Sequence, residues 1–367
     1  MRILMVSDRF LPDLGGVQIF TARLAEALIE RGHEIAVLTT HPGLGECEED
    51  RWRGVTVYRL PFDSALRQRD YPRVISLRRD IVDLKRAIRP DVVHLNTASA
   101  CLVFHLLTPR AIAAATVVTL HWLPDAGGID TRHCRRVRAA ADWVVAVTRC
   151  GRRAALEIEP AIAPRTSIIY NSLPTPWLPP ASLDFAALRL LCLGRLETEK
   201  GFDVALRALA AVRERLPAAR MTIAGDGGQR PALERLAVQL DLETAVRFTG
   251  WVAPDDVPAL INAHTVVLMP SRFESFGLVA LQAAQMGRPV IGSCIPGLSE
   301  VVRDGETGLL CPKDDAAAFA AAIASLVEQP VEAARMGRRA RAHAQSAFPW
   351  DEHVTAYETL FGRVAHP

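Results

Sequence analysis

NSLPTPWLPP, residues 171–180, interrupts an otherwise regular pattern near the middle of the 367-residue chain and decides how the chain folds. Four prolines stand within seven residues there. The interiors of helices and sheets do not accept prolines at this density, so the stretch predicts a stiff connection. Short apolar runs alternate with helical patterns on both sides of it. The sequence therefore predicts two α/β domains, residues 1–170 and 188–349, joined by a linker at residues 171–187.

Apolar runs mark the strands expected in both domains. Before the linker they lie at residues 2–7, 34–39, 55–60, 92–95, 116–120, 143–147 and 167–170. After it they lie at residues 190–193, 221–224, 246–249, 266–269 and 290–291. Runs without polar alternation are covered on both faces, and intervening helices make the sheets parallel. The predicted fold class is α/β, with two facing Rossmann-like domains and a deep interdomain cleft that can hold one ligand.

Composition and charge exclude several classes of protein. The chain is 50% hydrophobic and 23% charged, which excludes disorder, collagen and coiled coils. A net charge of +2 is too balanced for a protein whose whole surface tracks nucleic acid. The seven cysteines include no C-x-x-C pair, and the first residues reach Asp8 too soon for the apolar core of a signal peptide. We expect a cytoplasmic protein with reduced thiols and no nucleic-acid partner.

Two glycines, Gly15 and Gly16, stand between the first expected strand and the first expected helix, residues 17–31. Glycine lets a phosphate or a sugar approach the backbone N–H groups of a helix start. A plain β-to-α turn explains the same residues equally well. The spacing matches neither G-x-G-x-x-G nor G-x-x-x-x-G-K, so dinucleotide and P-loop sites are disfavoured.

Lysine is rare in the chain, which draws attention to Lys200 in the loop after the first strand of the second domain. Arg195 lies in the same loop. The two side chains can clamp a diphosphate, the arginine as a fork and the lysine as a point charge. The alternative is a solvated lysine with local ion pairs to Glu197 or Glu199.

Residues 270–282 form a third motif, in which a strand ends, a turn carries Glu274 and a helix is expected to start near Phe276. The free N–H groups of a helix start suit a phosphate. Gln282 follows Glu274 by a little over two helical turns, so both can face the same wall. Alternatively, Glu274 caps the helix.

These motifs together resemble those of the retaining GT-B glycosyltransferases of the family 4 type, over nearly the whole chain. The matching residues are Gly15-Gly16, Arg195 with Lys200, Gly225-Asp226-Gly227, Gly250-Trp251-Val252, residues 271–278, and Pro296-Gly297 with Glu300. The resemblance implies a nucleotide-sugar donor held mostly by the second domain and an acceptor held by the first. It also implies that a final helix, in residues 350–367, packs back on the first domain.

The resemblance also implies roles for single residues. Gly15 and Gly16 match the backbone contact to the donor phosphate, and Arg195 and Lys200 match the diphosphate clamp. Glu274 resembles the carboxylate that holds donor-sugar hydroxyls. The remaining positions are N–H donors at Phe276, Gly277 and Leu278, the base-bordering Trp251 and Val252, and the cleft histidine His121. Separately, Asp13 and Arg78 are the acceptor contacts expected in the first domain.

One position departs from the family pattern. The family usually has a second glutamate eight residues after the first, where it accepts hydrogen bonds from the ribose hydroxyls, and this chain has Gln282. Glutamine keeps one acceptor oxygen but loses the charge. We expect weaker ribose binding with catalysis retained.

The expected chemistry needs no metal and no cofactor. The sequence contains no Asp-x-Asp, so Arg195, Lys200 and helix-start N–H groups must meet the charge of the leaving diphosphate. The resemblance implies retention by same-face attack through an oxocarbenium-like state, with a leaving phosphate oxygen taking the acceptor proton. No protein nucleophile is expected. The donor is expected to be a UDP-sugar, with GDP-mannose next, and the acceptor hydroxyl to belong to a glycolipid, a polysaccharide precursor or a small glycoside.

A basic stretch in the first domain raises the question of a membrane partner. The arginines concerned are Arg67, Arg69, Arg73, Arg78 and Arg79. They can hold an anionic lipid surface at the inner face of the membrane, or they can form an ordinary solvated face.

Two other function classes compete with the transferase. A two-domain oxidoreductase would need a G-x-G-x-x-G that residues 224–228 do not supply. A nucleotide-sugar-binding protein with reduced or lost turnover is supported only by Gln282.

Overall fold

The computed structural model describes residues 1–11, 15–41, 48–96, 104–105, 108, 112–121 and 132–366. These residues form two compact units. The first comprises residues 1–171 and 351–367, and the second comprises residues 172–350. The division lies at Asn171, where the proline-rich stretch begins.

The first unit is built on an eight-stranded sheet, which is parallel except for one edge strand. The strands are β1 (Arg2–Val6), β2 (Glu34–Thr40), β3 (Glu48–Trp52), β4 (Val55–Leu60), β5 (Val92–Leu95), β6 (Ala115–Leu120), β7 (Trp143–Ala146) and β8 (Thr166–Ile168). They lie in the spatial order β3-β4-β2-β1-β5-β6-β7-β8. The central strands are buried, so both faces of this sheet are covered, as unbroken apolar runs predict.

Helices flank this sheet. They are α1 (Gly16–Glu30), α2 (Phe62–Arg67), α3 (Tyr71–Ile88), α4 (Arg132–Ala140) and α5 (Arg149–Ile158). The α3 helix begins where Asp70 accepts a hydrogen bond from Arg73 N and ends at Arg89 in a left-handed conformation. An aspartate at the N-cap and a left-handed residue at the C-cap are both common at helix ends.

The second unit is built on a six-stranded parallel sheet, in the spatial order β11-β10-β9-β12-β13-β14. Its strands are β9 (Arg189–Leu193), β10 (Arg220–Ala224), β11 (Val246–Gly250), β12 (Val266–Met269), β13 (Val290–Ser293) and β14 (Gly308–Cys311). Its helices are α6 (Phe202–Arg213), α7 (Arg230–Gln239), α8 (Val257–Asn262), α9 (Leu278–Gln285), α10 (Ala316–Glu328) and α11 (Pro330–Ala347). The structure confirms the predicted α/β class with two Rossmann-like units.

Residues 171–187 contain no helix or strand, but they are not a loose connection. Asn262 donates to the Pro179 carbonyl and accepts from the Ala181 N–H. Gln285 donates to the Leu173 carbonyl. These hydrogen bonds fix the linker to the second unit.

The last helix, α12 (Trp350–Ala365), packs on the first unit. The Glu358 carboxylate accepts from Arg31 at 2.7 Å and contacts His33 Nε2 at 2.9 Å. Buried Tyr357 and Phe361 lie on the same helix. Burying each such aromatic side chain contributes about 1.5–3 kcal/mol, so the helix is an integral part of this unit.

Candidate active site

The carboxyl ends of parallel strands bring the second-unit motifs to one edge of the sheet. The loops that follow β9, β12 and β13 lie close together there. A Cβ atom added at Gly201, whose φ is +64°, would collide with the Pro270 carbonyl, and one at Gly297 would collide with the Glu274 carbonyl. Only glycine permits these backbone approaches.

Lys200 and Glu274 meet at this edge. Lys200 Nζ lies 2.5 Å from Glu274 Oε1, and the side chains are 20% and 12% exposed. Ser271 Oγ donates to the same oxygen at 3.3 Å. The expected alternatives are both wrong: Lys200 pairs with neither Glu197 nor Glu199, and α9 begins after Gly277 without a side-chain cap.

Arg195 occupies a different environment from Lys200. Its guanidinium pairs with Glu199 at 2.8 Å, and its side chain is 58% exposed. The structure therefore joins Lys200 to Glu274 and turns Arg195 toward a neighbour in its own loop. The role of Arg195 as a diphosphate ligand stays a prediction.

Arg272 fixes the loop that carries Glu274, and sequence reasoning missed it. Its guanidinium forms a fork on Asp203, with both N···O distances at 2.9 Å, and a further nitrogen bonds Asp314 at 2.6 Å. Partial burial opposes ionisation of Asp203, but hydrogen bonds from Arg272 and Arg207 outweigh it and lower the Asp203 pKa. A bidentate arginine–carboxylate pair is geometrically specific. The network ties residues 198–203 to the turn after β12.

The helix after this turn starts two residues later than expected. Gly277 has φ +96°, and α9 runs from Leu278. Phe276 is buried and packs edge-on against Phe348, with ring centroids 5.4 Å apart. Gln282 lies on α9 and is half-buried.

The residues expected to border the base, Trp251 and Val252, follow β11. Trp251 is exposed and Val252 is half-buried. Gly225 N donates to the Gly250 carbonyl at 2.7 Å, which links this segment to the loop after β10.

In the first unit, Gly15 is the N-cap of α1, which begins at Gly16. Backbone N–H groups in the first turn of a helix lack intrahelical partners, so this start can bind an anion. Asp13 lies outside the described residues. Arg78 is exposed on α3.

His121 follows β6 and is buried. Its Nε2 lies 3.2 Å from Asn96 Oδ1, and its ring packs against Phe20 with centroids 4.8 Å apart. Burial, assisted by His353, lowers the His121 pKa to about 3, so the imidazole is neutral near pH 7. Sequence reasoning named His121 but missed Asn96, which directly follows β5 at the same edge of the sheet.

The predicted basic stretch is partly organised on α3. One face of this helix combines the exposed Tyr71 and Ile75, 68% and 57% exposed, with exposed Arg78, Arg79 and Arg86. We call this the α3 basic face. Arg67 and Arg69 are exposed just before the helix, whereas Arg73 is half-buried.

Within the part of the chain that the structure describes, no group of three or more His, Cys, Asp or Glu side chains is placed to hold a metal ion. None of the helices in the described ranges combines the length and hydropathy that crossing a membrane requires.

Residues 14–175 match the family described as Glycosyltransferase Family 4, and residues 187–329 match the one described as Glycosyl transferases group 1. A glycogen synthase of Mycobacterium tuberculosis (strain CDC 1551 / Oshkosh) is 32% identical, over 98% of this chain and 94% of the relative. A D-inositol 3-phosphate glycosyltransferase of Acidothermus cellulolyticus is 30% identical, over 93% and 84%. The chain belongs to the family 4 glycosyltransferases. It is thus a glycosyltransferase that uses a nucleotide sugar.

Solved structures share the fold. A sucrose-phosphate synthase from Thermosynechococcus elongatus has a TM-score of 0.85 and 22% identity, over 99% of both chains. The Anabaena protein HepE, solved with UDP and glucose, has a TM-score of 0.80 and 22% identity, over 98% of this chain and 99% of that one. Both likenesses confirm the predicted GT-B fold.

Proposed function

We propose that this glycosyltransferase moves a hexose-type sugar from a nucleoside diphosphate sugar to an acceptor hydroxyl, with retention of configuration and without a metal ion. The observation that carries the proposal is the ion pair between Lys200 and Glu274 at the carboxyl edge of the second sheet. One partner suits a diphosphate and the other suits sugar hydroxyls, the two halves of the donor.

Each charge has a task in this mechanism. Lys200 and Arg195 stabilise the negative charge that develops on the departing diphosphate, together with N–H groups of residues 276–278 and of Gly15 and Gly16. Glu274 accepts hydrogen bonds from the donor sugar. Preorganised charges of this kind act most strongly where water is excluded, and both members of the ion pair are largely buried.

The acceptor hydroxyl attacks the reacting sugar carbon on the same face from which the leaving group departs, through an oxocarbenium-like state. A leaving phosphate oxygen takes the acceptor proton, so no protein nucleophile is required. The neutral His121 serves as a hydrogen-bond partner of the donor sugar near pH 7, because burial disfavours its cationic form.

UDP is the favoured nucleotide and GDP-mannose the next candidate donor. The Anabaena protein of the same fold was solved with UDP and glucose, which supports this order. Trp251 and Val252 offer an aromatic face and backbone groups to the base. The acceptor is a glycolipid, a polysaccharide precursor or a small glycoside, and Arg78 and Asp13 are its proposed contacts.

A thermal-shift panel of UDP, GDP, ADP and their sugar conjugates, with and without EDTA, tests the proposal. A ligand at a hundred times its Kd adds about 2.7 kcal/mol. For units of this size that is roughly two to four degrees. A shift with one base that EDTA leaves unchanged is the expected result. A shift that EDTA abolishes would contradict the metal-free clamp, and no shift with any nucleotide would contradict the donor site.

A nucleotide-sugar-binding protein with reduced or, in its full form, lost turnover is the second candidate, and only Gln282 favours it. It predicts a ligand-dependent thermal shift without transfer or hydrolysis of the donor.

The proposed membrane contact rests on the α3 basic face, where an aromatic and an aliphatic side chain are exposed beside arginines. Each such arginine near an anionic bilayer contributes about 1 kcal/mol. Vesicle sedimentation should show binding to anionic but not neutral liposomes, and the double variant R78Q/R79Q should weaken it. The matched control is R335Q/R338Q on α11, which removes the same charge from exposed positions elsewhere. Equal binding to both vesicle types would refute the contact.

A further inference from the structure

A chain of buried hydrogen bonds runs from His121 to the C-terminal helix α12. His121 Nε2 meets Asn96 Oδ1 at 3.2 Å, and Asn96 Nδ2 lies 3.4 Å from His94 Nδ1. His94 Nε2 lies 2.8 Å from Thr119 Oγ1, which lies 3.0 Å from the hydroxyl of Tyr357. All five residues are buried, and the contacts join the carboxyl ends of β5 and β6 to α12.

The donor and acceptor roles along this chain follow from Asn96. An amide oxygen can only accept, so His121 Nε2 carries a proton and donates it to Oδ1. The amide nitrogen can only donate, so His94 Nδ1 is bare and His94 Nε2–H donates to Thr119 Oγ1. Burial lowers the pKa of His94 well below its ordinary value, and both rings therefore carry a single proton near pH 7.

Other histidines of the protein carry their proton on the other ring nitrogen, so the tautomer depends on local hydrogen bonds. His353 Nδ1 lies 2.7 Å from the Tyr170 carbonyl, and His264 Nδ1 lies 2.7 Å from the Leu260 carbonyl. A carbonyl only accepts, so these rings carry their proton on Nδ1. The opposite tautomers thus occur within one chain, each set by the partner of one ring nitrogen.

We propose that Asn96 is a positioning residue that holds His121 in the Nε2–H tautomer, so that His121 Nδ1 is offered to the donor sugar as a hydrogen-bond acceptor. The catalytic consequence rests on the proposed function, whereas the tautomer does not. An acceptor nitrogen selects a sugar hydroxyl as its partner, because a hydroxyl can donate. His94, Thr119 and Tyr357 hold Asn96 in turn, which makes α12 a remote support of the site.

Histidine ring nitrogens report the tautomer directly. The full-length protein, labelled with ¹⁵N-histidine, is measured near pH 7 by long-range ¹H–¹⁵N correlation, and the H121Q spectrum identifies the His121 signals. We expect the Nε2–H pattern for His121 and the Nδ1–H pattern for His264, the internal reference. An Nδ1–H pattern for His121 would overturn the proposal, because Asn96 would then present its amide nitrogen.

The variant N96A tests the positioning role. We expect the His121 signals to move toward those of mixed tautomers. Turnover of UDP-glucose or GDP-mannose, whichever the wild type hydrolyses, should fall about tenfold in kcat while UDP affinity stays unchanged, since a transition-state contact is lost. An unchanged tautomer or an unchanged kcat in N96A would refute the role.

The milder variant Y357F keeps the ring packing and removes one hydroxyl. It should shift the His94 signals while leaving those of His264 in place. Unchanged His94 signals would show that α12 does not belong to this series of hydrogen bonds. If the wild type turns over no nucleotide sugar, the proposed function fails, and the ring-nitrogen spectra of wild type and N96A alone decide whether Asn96 fixes His121.

Discussion

Lys200 and Glu274 are 74 residues apart in the sequence, and Lys200 Nζ nevertheless lies 2.5 Å from Glu274 Oε1. Each residue is held by its own loop, one after β9 and the other after β12. Because both side chains are largely buried, removing either partner leaves the other as an uncompensated charge. Loss of either partner should therefore lower stability in addition to changing the proposed donor site.

Substitution of Lys200 and substitution of Glu274 should affect different steps, UDP binding in one case and turnover in the other. K200A should weaken the binding of UDP itself, because it removes the charge proposed to meet the diphosphate. E274Q should leave UDP binding nearly unchanged and lower kcat about a hundredfold, or about 3 kcal/mol in barrier, because the donor sugar loses the carboxylate proposed to hold it. Calorimetric titration with UDP and steady-state kinetics measure the two effects.

K313A is the matched control, since Lys313 is the other lysine of the second unit and is exposed. It should change neither UDP binding nor kcat. Near-normal activity of both K200A and E274Q would defeat the assignment of the site.

Gly201 should tolerate no side chain. Both Gly201 and Gly305 have positive φ, at +64° and +73°, but only Gly201 packs against a backbone carbonyl, that of Pro270. G305A should cost about 1 kcal/mol from its left-handed conformation alone. G201A adds a steric collision and should cost clearly more, with loss of UDP binding. Urea unfolding of the two variants measures the difference, and equal costs would show that the close approach of the loops is unimportant.

Gln282 offers a gain-of-function test. Restoring the family glutamate in Q282E adds a second charged acceptor for the ribose hydroxyls, and a hydrogen bond to a charged group is worth about 1.5–3 kcal/mol. UDP should bind roughly tenfold or more tightly by calorimetry. Q239E, at an exposed position on α7, adds the same charge and should have no effect. A wild type without turnover that becomes active only as Q282E would favour the alternative function, a nucleotide-sugar-binding protein that has lost turnover.

Sequence patterns located the buried strands because apolar runs report burial directly. The strands β4, β5 and β12 begin and end where their runs do. The strand β3 was missed because its residues, EEDRW, are mostly charged and exposed at an antiparallel edge. The four-residue β14, Gly308–Cys311, was also missed, because its apolar run is short and begins with a glycine.

The candidate site was predictable only in part, because its contacts join residues that are distant in the sequence. Lys200 and Glu274 were each identifiable from local motifs, but their contact depends on two loops meeting at a sheet edge. Arg272 and Asn96 act through partners distant in sequence, Asp203 and His121. Local spacing carries no information about such pairs, whereas parallel topology places them together once the strand order is known.

The buried histidines should make the first unit sensitive to acid. Burial lowers the pKa of His121 to about 3 and that of His353 to about 4. Burial also lowers the pKa of His94, and the neighbouring His121 and His353 add to that decrease. An unfolded histidine titrates at about pH 6.5, so below that pH the unfolded state binds more protons and the free energy of unfolding falls with falling pH. The loss should continue down to the folded-state values. Each histidine contributes at most about 1.4 kcal/mol per pH unit.

Urea unfolding between neutral and mildly acidic pH measures this slope. H353Q should reduce it, because one of the imidazoles whose pKa burial lowers is gone. Y357F should lower stability at every pH and keep the slope, because it removes a hydroxyl from the same cluster and no histidine. Stability that rises or stays level as the pH falls below the unfolded-state value would mean that protonated imidazoles are tolerated there. The neutral His121 required for accepting a hydrogen bond at Nδ1 would then be lost as well.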